Sequence, residues 1–404
     1  MKIKEKIKKF FPFLGPSFIV SVGYIDPGNW ATNIQGGADF GYLLLWVLTI
    51  SNLMAIFLQN NAAKLGIATG KSLAENCREH FSKPISFFLW ITAELAALAT
   101  DLAEFLGAAL GIFILFKIPL FAAALIAGLI TFFVMYLERY GYRIIEIIIM
   151  AFLAIVAISY ITELFMAEPN FGKVAYHTFV PNLSMKSVYV AIGMLGATVM
   201  PHNIFLHSSL VTNRLTPQTT ISEKKKLFKY GVFDSLVAMN LAWFINASMI
   251  IMAAAVFFDN HIAITTIEAA HKTLTPLLGS SASLIFAVAL LSAGLSSSIT
   301  GTMAGQIILE GFLNIKIPIW ARRIITMIPA LIIIGLGVDS LKALIISQVI
   351  LSIQLPFTII PLLLLTRNKK IMGVFVNRGI TNYTAYIVAA VIITLNSLLI
   401  YLAL

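Results

Sequence analysis

The sequence predicts an all-α integral membrane protein of eleven transmembrane helices, built as a 5+5 inverted repeat with helices 1 and 6 broken and one helix appended. Three observations predict it. Hydrophobic residues make up 59 % of the 404 and charged residues only 11 %, against roughly 25 % charged in a soluble domain, so lipid must cover part of the apolar surface. The apolar residues fall into runs of about 20, the length that crosses a bilayer. Two of those runs are interrupted by a proline with an asparagine two residues on, Asp26-Pro27-Gly28-Asn29 in the first and Met200-Pro201-His202-Asn203 in the sixth.

The spans lie at about 12–36, 42–62, 85–113, 119–137, 144–166, 187–212, 231–258, 282–308, 322–338, 341–366 and 381–403, by apolar run length. The loops are short and carry no low-complexity tract. The chain therefore reads as one transmembrane domain over 1–404, with repeat one at about 12–166, repeat two at about 187–366 and the extra helix at about 381–403, the repeats being set by the paired breaks. Lys2, Lys4, Lys6, Lys8 and Lys9 precede the first span like the n-region of a signal peptide. No small-residue cleavage site follows, so the expectation is a retained helix behind a basic tail.

Lysine and arginine set the orientation. With the N-terminus inside, 23 of the 28 fall in the tail and the cytoplasmic loops, and only Lys117, Lys173, Lys186, Lys272 and Lys342 fall outside. The positive-inside rule then predicts a multi-pass protein of the cell membrane, N-terminus cytoplasmic and C-terminus extracellular. The same rule accounts for the net charge of +10 without a nucleic-acid partner. Cys77 is the only cysteine. It leaves no disulfide framework and no thiolate metal cluster, and it reads as an inert loop thiol.

Proline removes a backbone donor and clashes with the preceding turn, so both interrupted helices should break. Span 1 begins inside and span 6 outside, which makes the breaks equivalent positions of two inverted halves. Ion sites in such folds lie at the breaks, near the bilayer midplane. Asp26 is a carboxylate where insertion costs about 2.5–3.5 kcal/mol. It reads either as the N-cap of the second half-helix or as a cation ligand, with the Asn29 amide beside it. Met200 would pack the core at most other positions. At the second break its thioether is a soft ligand, favouring Mn²⁺, Fe²⁺, Co²⁺ or Cd²⁺ over Mg²⁺ and Ca²⁺. Pro201 has no N–H, so a carbonyl one turn back, such as that of Ala197, is free to join.

Span 3 holds Glu94, Asp101 and Glu104. At about 100° per residue they fall within about 80° on one face. Such rows form proton relays or structural ion pairs, for which Arg322 and Arg323 of span 9 are the candidate partners. His202 sits in the second break and His207 five residues on. A histidine there either changes charge near neutral pH or satisfies exposed backbone. Gln354, two residues before Pro356, either joins helices or completes an ion's shell.

These residues resemble the Nramp family of divalent-metal transporters. The resemblance rests on the two break motifs, Ala197-Thr198-Val199-Met200-Pro201-His202-Asn203 in full for the second, and on Thr100-Asp101-Leu102-Ala103-Glu104. Glu138-Arg139-Tyr140-Gly141-Tyr142-Arg143, Gly301-Thr302-Met303-Ala304-Gly305-Gln306 and the run from Gln348 to Pro356 extend it. It implies a LeuT-like fold, alternating access and import of Mn²⁺ or Fe²⁺ with H⁺. It implies that Asp26, Asn29, the Ala197 carbonyl and Met200 bind metal, with Gln354 joining in an occluded state. It places Asp26, His202, Asp101, Glu104, Glu94, Arg322 and Arg323 on the proton route and Gln59 and His207 at a gate. Metal and H⁺ are then cargo. No cofactor and no obligate protein partner are expected.

A symporter of amino acids or of Na⁺-coupled solutes on the same architecture would need a less charged first break and no thioether. An intramembrane enzyme is disfavoured, because no His-Glu-x-x-His motif or paired catalytic Asp motif is present.

Overall fold

A computed structural model describes residues 15–136, 142–264, 266–267, 269–271 and 280–403. The lysine tail, Lys272 and most of the motif at 138–143 lie outside them. Every regular element among the described residues is helical.

The expected first span is two helices, α1 (Pro16–Gly23) and α2 (Pro27–Phe40). α3 (Leu45–Thr69) ends at Gly70, whose φ of +73° is the left-handed stop that glycine adopts freely. The short α4 (Leu73–His80) opens with a capping box in which Ser72 and Glu75 satisfy each other's backbone N–H. It is followed by α5 (Lys83–Phe116), α6 (Leu120–Tyr136), α7 (Tyr142–Ala167) and the short α8 (Phe171–Phe179). The expected sixth span is again two helices, α9 (Val188–Thr198) and α10 (Pro201–Leu210). A second capping box, Thr220 with Glu223, starts α11 (Ile221–Ala253), which closes in one π turn at Ala254–Phe258. α12 (Ser280–Leu313), α13 (Ile319–Gly335), α14 (Ser340–Arg367), the single turn α15 (Lys369–Met372) and α16 (Ile380–Ala403) complete the chain.

Seven of these stretches are long and apolar enough to cross a membrane: Lys83–Phe116, Ile147–Ala167, Val188–Arg214, Ile221–Phe258, Ser281–Leu313, Ser340–Arg367 and Ile380–Leu398. The other four expected spans fall short for visible reasons. The first is split into helices of 8 and 14 residues. α3 carries Asn52, Gln59, Asn60, Asn61 and Lys64, and α6 and α13 have 17 residues each, α13 with two arginines.

The polarity is that of a protein solvated by lipid. Leu129 and Phe165 are 69 % and 78 % exposed, whereas Asp26, Asp101, Glu104, His202 and Arg323 are buried to 1 % or less. The four half-helices lie at the centre. α5 and α12 form the longest contact, and glycine sets how close they come: a Cβ on Gly294 would lie 2.4 Å from the backbone N of Ala108.

The connections gather at two ends. At one, Tyr42 receives a hydrogen bond from the backbone of Asn170, Trp46 donates to the Asn182 carbonyl, and Phe258 covers Gly41. At the other, Ser208 accepts from the Leu73 backbone, Arg78 donates to the Glu310 carbonyl, and Asn377 donates to Asn61. Cys77 sits at this second end. It lies on α4 rather than in a loop, and it is 1 % exposed.

Candidate metal-binding site at two helix breaks

Each break is built the same way: helix, extended residue, proline at the first position of the next helix. Asp26 (φ −65°, ψ 164°) caps α2, its Oδ1 accepting the Asn29 backbone N–H at 2.9 Å. Met200 (φ −74°, ψ 119°) occupies the matching position before α10, where its side chain makes no capping bond. Proline at N1 fits because its missing N–H is one the helix start leaves unpaired anyway.

The breaks face each other. The Asn29 side chain donates from Nδ2 to Asp26 Oδ1 at 2.7 Å and to the Ala197 carbonyl at 3.0 Å. That carbonyl is free because Pro201, four residues on, has no N–H. Asn203 donates to the Met200 sulfur at 3.6 Å, and its amide lies where a Cβ on Gly23 would fall. Asp26, Asn29 and Met200 are fully buried, and Asp26 Oδ2 and Asn29 Oδ1 have no hydrogen-bond partner. Among the described residues no cluster of three His, Cys, Asp or Glu could hold a metal. The residues at the two breaks thus offer one carboxylate, amide and carbonyl oxygens and a sulfur.

Gln348, the first residue of the run that ends at Pro356, lies directly over Gly28. A Cβ there would come within 1.6 Å of its amide nitrogen, and its Oε1 is unpartnered. Gln354 lies elsewhere on α14, its Oε1 accepting from Thr358 at 3.0 Å. The signal for Gln348 was its own polarity in an apolar span; the proline beside Gln354 drew attention away from it.

α5 brings its carboxylates against α12 and α13 as the helical phase predicts. Arg322 is hydrogen-bonded to Glu94. Arg323 lies 3.7 Å from Asp101 and also bonds Ser298 and Thr302. Glu104, fully buried, has neither oxygen hydrogen-bonded. It fits because Gly301 faces it: a Cβ there would lie 2.2 Å from Glu104 Oε2 and 3.0 Å from Asp101 Oδ1. His202 Nδ1 meets Thr100 Oγ1 at 3.1 Å, joining the second break to α5, and its Nε2 is unpartnered.

Gln59 and His207 meet at 2.9 Å. Gln59 also donates to the Tyr24 hydroxyl at 2.6 Å, and His207 Nε2 lies 3.5 Å from Ser17 Oγ. Ser17 in turn meets Ser235 at 2.9 Å and donates its backbone N–H to Asp234 at 3.0 Å. This polar chain links α1, α3, α10 and α11. Tyr24, Ser17 and Asp234 carry no such signal in the sequence, since single polar residues are too common in these spans to stand out.

The family model described as "Natural resistance-associated macrophage protein-like" matches residues 17–402. A protein of Caldanaerobacter subterraneus named a divalent metal cation transporter is 52 % identical over 400 residues, 99 % of this chain and 95 % of the relative. The Bacillus subtilis protein of the same name is 46 % identical over 98 % of this chain and 94 % of its own. A solved manganese transporter of Eremococcus coleocola superposes with a TM-score of 0.87 at 36 % identity, over 96 % of this chain and 86 % of that one. The nucleobase-cation symporter MHP1 shares the fold alone, at a TM-score of 0.65 and 15 % identity over 96 % of this chain and 89 % of that one. With that coverage from end to end, the chain belongs to the Nramp family of multi-pass membrane proteins.

Proposed function

We propose that this chain is a secondary transporter that imports divalent transition metals, Mn²⁺ and Fe²⁺ and also Cd²⁺ and Co²⁺, together with H⁺, by alternating access across the cell membrane. The relatives named as divalent metal cation transporters and the manganese transporter support the cargo. The observation that carries the reading is the position of the Asn29 amide nitrogen, held between Asp26 Oδ1 and the Ala197 carbonyl. A donor caught between two oxygens marks where those oxygens would hold a cation. Turning the amide over presents Asn29 Oδ1 as a third oxygen; which way an amide points is an assignment from its hydrogen bonds. Met200 adds the soft ligand that hard alkaline-earth ions gain least from. Gln348, over Gly28, is an amide at this point, and Gln354 joins in an occluded state.

The proton route in this reading runs on the other side of the second break. His202 touches Thr100, and one turn on, Glu104 and Asp101 lie together with Arg323 beside them. Arg322 holds Glu94 at the far end of that row. The metal leaves past Tyr24, Gln59 and His207, so cargo and proton separate at the breaks. The inverted repeat at 12–166 and 187–366, the cytoplasmic N-terminus and the extracellular C-terminus complete the proposal, as does the absence of any resident cofactor or obligate protein partner.

Purified protein in liposomes, with metal uptake and internal pH followed together, tests it. Mn²⁺ entry with internal acidification, lost in Asp26→Ala, is the expected result. Uptake of an amino acid but not of Mn²⁺, or normal Mn²⁺ uptake by Asp26→Ala, overturns it.

A further inference from the structure

Among the described residues, the site at the breaks and the row on α5 leave Glu163 as a membrane-buried carboxylate without a use. Glu163 lies on α7 near its Ala167 end, is 1 % exposed, and has no hydrogen bond to either oxygen. Asp101, which is buried, and Glu94, which is partly so, each have an arginine, and buried Asp234 has the Ser17 N–H. An unpaired carboxylate out of water is costly by several kcal/mol, and an ionisable side chain inside a membrane marks function until shown otherwise.

What stands between Glu163 and the breaks is specific. Tyr160, three residues earlier, shares its helix face, and its hydroxyl is likewise buried and unpartnered. The Tyr160 ring stands edge-on to Trp30, centroids 4.9 Å apart, and Trp30 edge-on to Phe286 at 5.2 Å. Trp30 follows Asn29 directly, and its indole N–H is also unpartnered. Glu163, Tyr160 and Trp30 thus lead from the Ala167 end of the molecule to Asn29 and Asp26. The closure on this side is an aromatic plug; the closure on the other side, Tyr24 to Ser17, is a chain of satisfied hydrogen bonds.

We propose that Glu163, with the Tyr160 hydroxyl, is a second and transient site for a divalent cation on the outer side of this plug, where the entering ion waits before it passes Trp30 to reach Asp26. The inference rests on the metal-transport reading above. A carboxylate and a phenol offer only oxygen, so this station gathers divalent cations by charge and does not sort them. Sorting is left to Met200. The two sites therefore differ in what their removal does to selectivity.

The test is Mn²⁺ and Cd²⁺ transport by the full chain in liposomes, measured in both directions. Glu163→Gln keeps the shape and removes the charge. It is expected to raise KM for both metals, supplied from the Ala167 side, on the order of tenfold, the low end of what steering charges contribute. Vmax, KM from the opposite side and the Mn²⁺-to-Cd²⁺ ratio should hold. Glu163→Asp should restore most of the loss. Tyr160→Phe, which removes one oxygen and leaves the plug, should raise the same KM less than Glu163→Gln does. An unchanged KM, an equal loss in both directions, or altered proton movement at unchanged KM overturns the inference; the last outcome assigns the carboxylate to the proton. Asp26→Ala, run alongside, keeps the two readings apart. If it abolishes transport while Glu163→Gln behaves as the parent, only the waiting site fails. If it transports normally, the site at the breaks fails with it.

Discussion

The two helix breaks share a backbone and differ in chemistry. Both place an extended residue before a proline that opens the next half-helix. At the first, the extended residue is Asp26, whose carboxylate caps its own helix with one oxygen and leaves the other unpartnered. At the second it is Met200, which caps nothing and whose sulfur accepts from Asn203. In the proposed reading the comparison is a division of labour: one break supplies charge and the other softness to a single cation. The largest expected effect comes from removing the charge. Asp26→Ala should abolish Mn²⁺ binding and uptake, a loss beyond the roughly 100-fold that an outer-shell partner is worth. Asp26→Asn retains an oxygen to cap α2, which is worth about 1 kcal/mol, while losing the charge. If Asp26→Asn folds and binds Mn²⁺ as the parent does by calorimetry, the carboxylate is only a cap and the contrast between the breaks collapses.

Removing the softness should act on selectivity more than on affinity. Met200→Ala leaves a shell of oxygen and water, which Mg²⁺ and Ca²⁺ prefer. Cd²⁺ uptake should fall on the order of tenfold, Mn²⁺ and Fe²⁺ uptake less, and competition by Ca²⁺ or Mg²⁺ should become visible. Specificity is a difference of affinities, so the metals must be compared within each variant. A uniform fall in all metals, with no alkaline-earth competition, would leave Met200 as packing.

Much of this was legible in the sequence, because proline and buried charge are local signals. Pro27 and Pro201 mark where the helices part, and the phase of Glu94, Asp101 and Glu104 puts them on one face of a helix, with Arg322 and Arg323 as candidate partners that Glu94 and Asp101 meet. What could not be read was which of several equally polar residues faces inward. Gln348 and Gln354 are both buried and lie about 120° apart around one helix, and only packing shows that Gln348 is the one against Gly28. Glu163 was one acidic residue near the end of an apolar span, with nothing in the string to say that no base reaches it. Cys77 looked like a loop thiol because its neighbours are polar. It is buried on α4, where burial pushes its thiol pKa up. An impermeant maleimide should therefore fail to label it from either side of the membrane, and orientation has to be read from a new cysteine such as Lys71→Cys, on a residue whose side chain is 45 % exposed.

The breaks also differ in what lies behind them. His202 touches Thr100 on α5, next to Asp101 and Glu104, whereas Asp26 and Asn29 at the first break bond each other and the Ala197 carbonyl. Glu104→Gln keeps the shape that Gly301 accommodates and removes a titrating group. It should reduce internal acidification per metal transported while Mn²⁺ binding stays within about twofold, as expected for a group with no bond to the ion's ligands. Lost Mn²⁺ binding with intact acidification would reverse the assignment of α5.

The smallest effect separates the two glutamines. Gln348 covers Gly28 between Asp26 and Asn29, and its oxygen is unspent. Gln354 already uses its oxygen on Thr358, one turn along α14. A neutral amide adds one weak oxygen ligand to a shell whose charge comes from Asp26, so its loss should be modest. Gln348→Ala is expected to weaken Mn²⁺ binding by several-fold, about 1 kcal/mol, the scale of one hydrogen bond or its equivalent. Gln354→Ala should leave binding unchanged and at most slow transport. The reverse order, with Gln354→Ala the weaker binder in calorimetry, would mean that α14 turns by about 120° when metal enters. That would move the inward-facing amide to Gln354 and make the second break's partner helix, rather than the breaks themselves, the element that completes the shell.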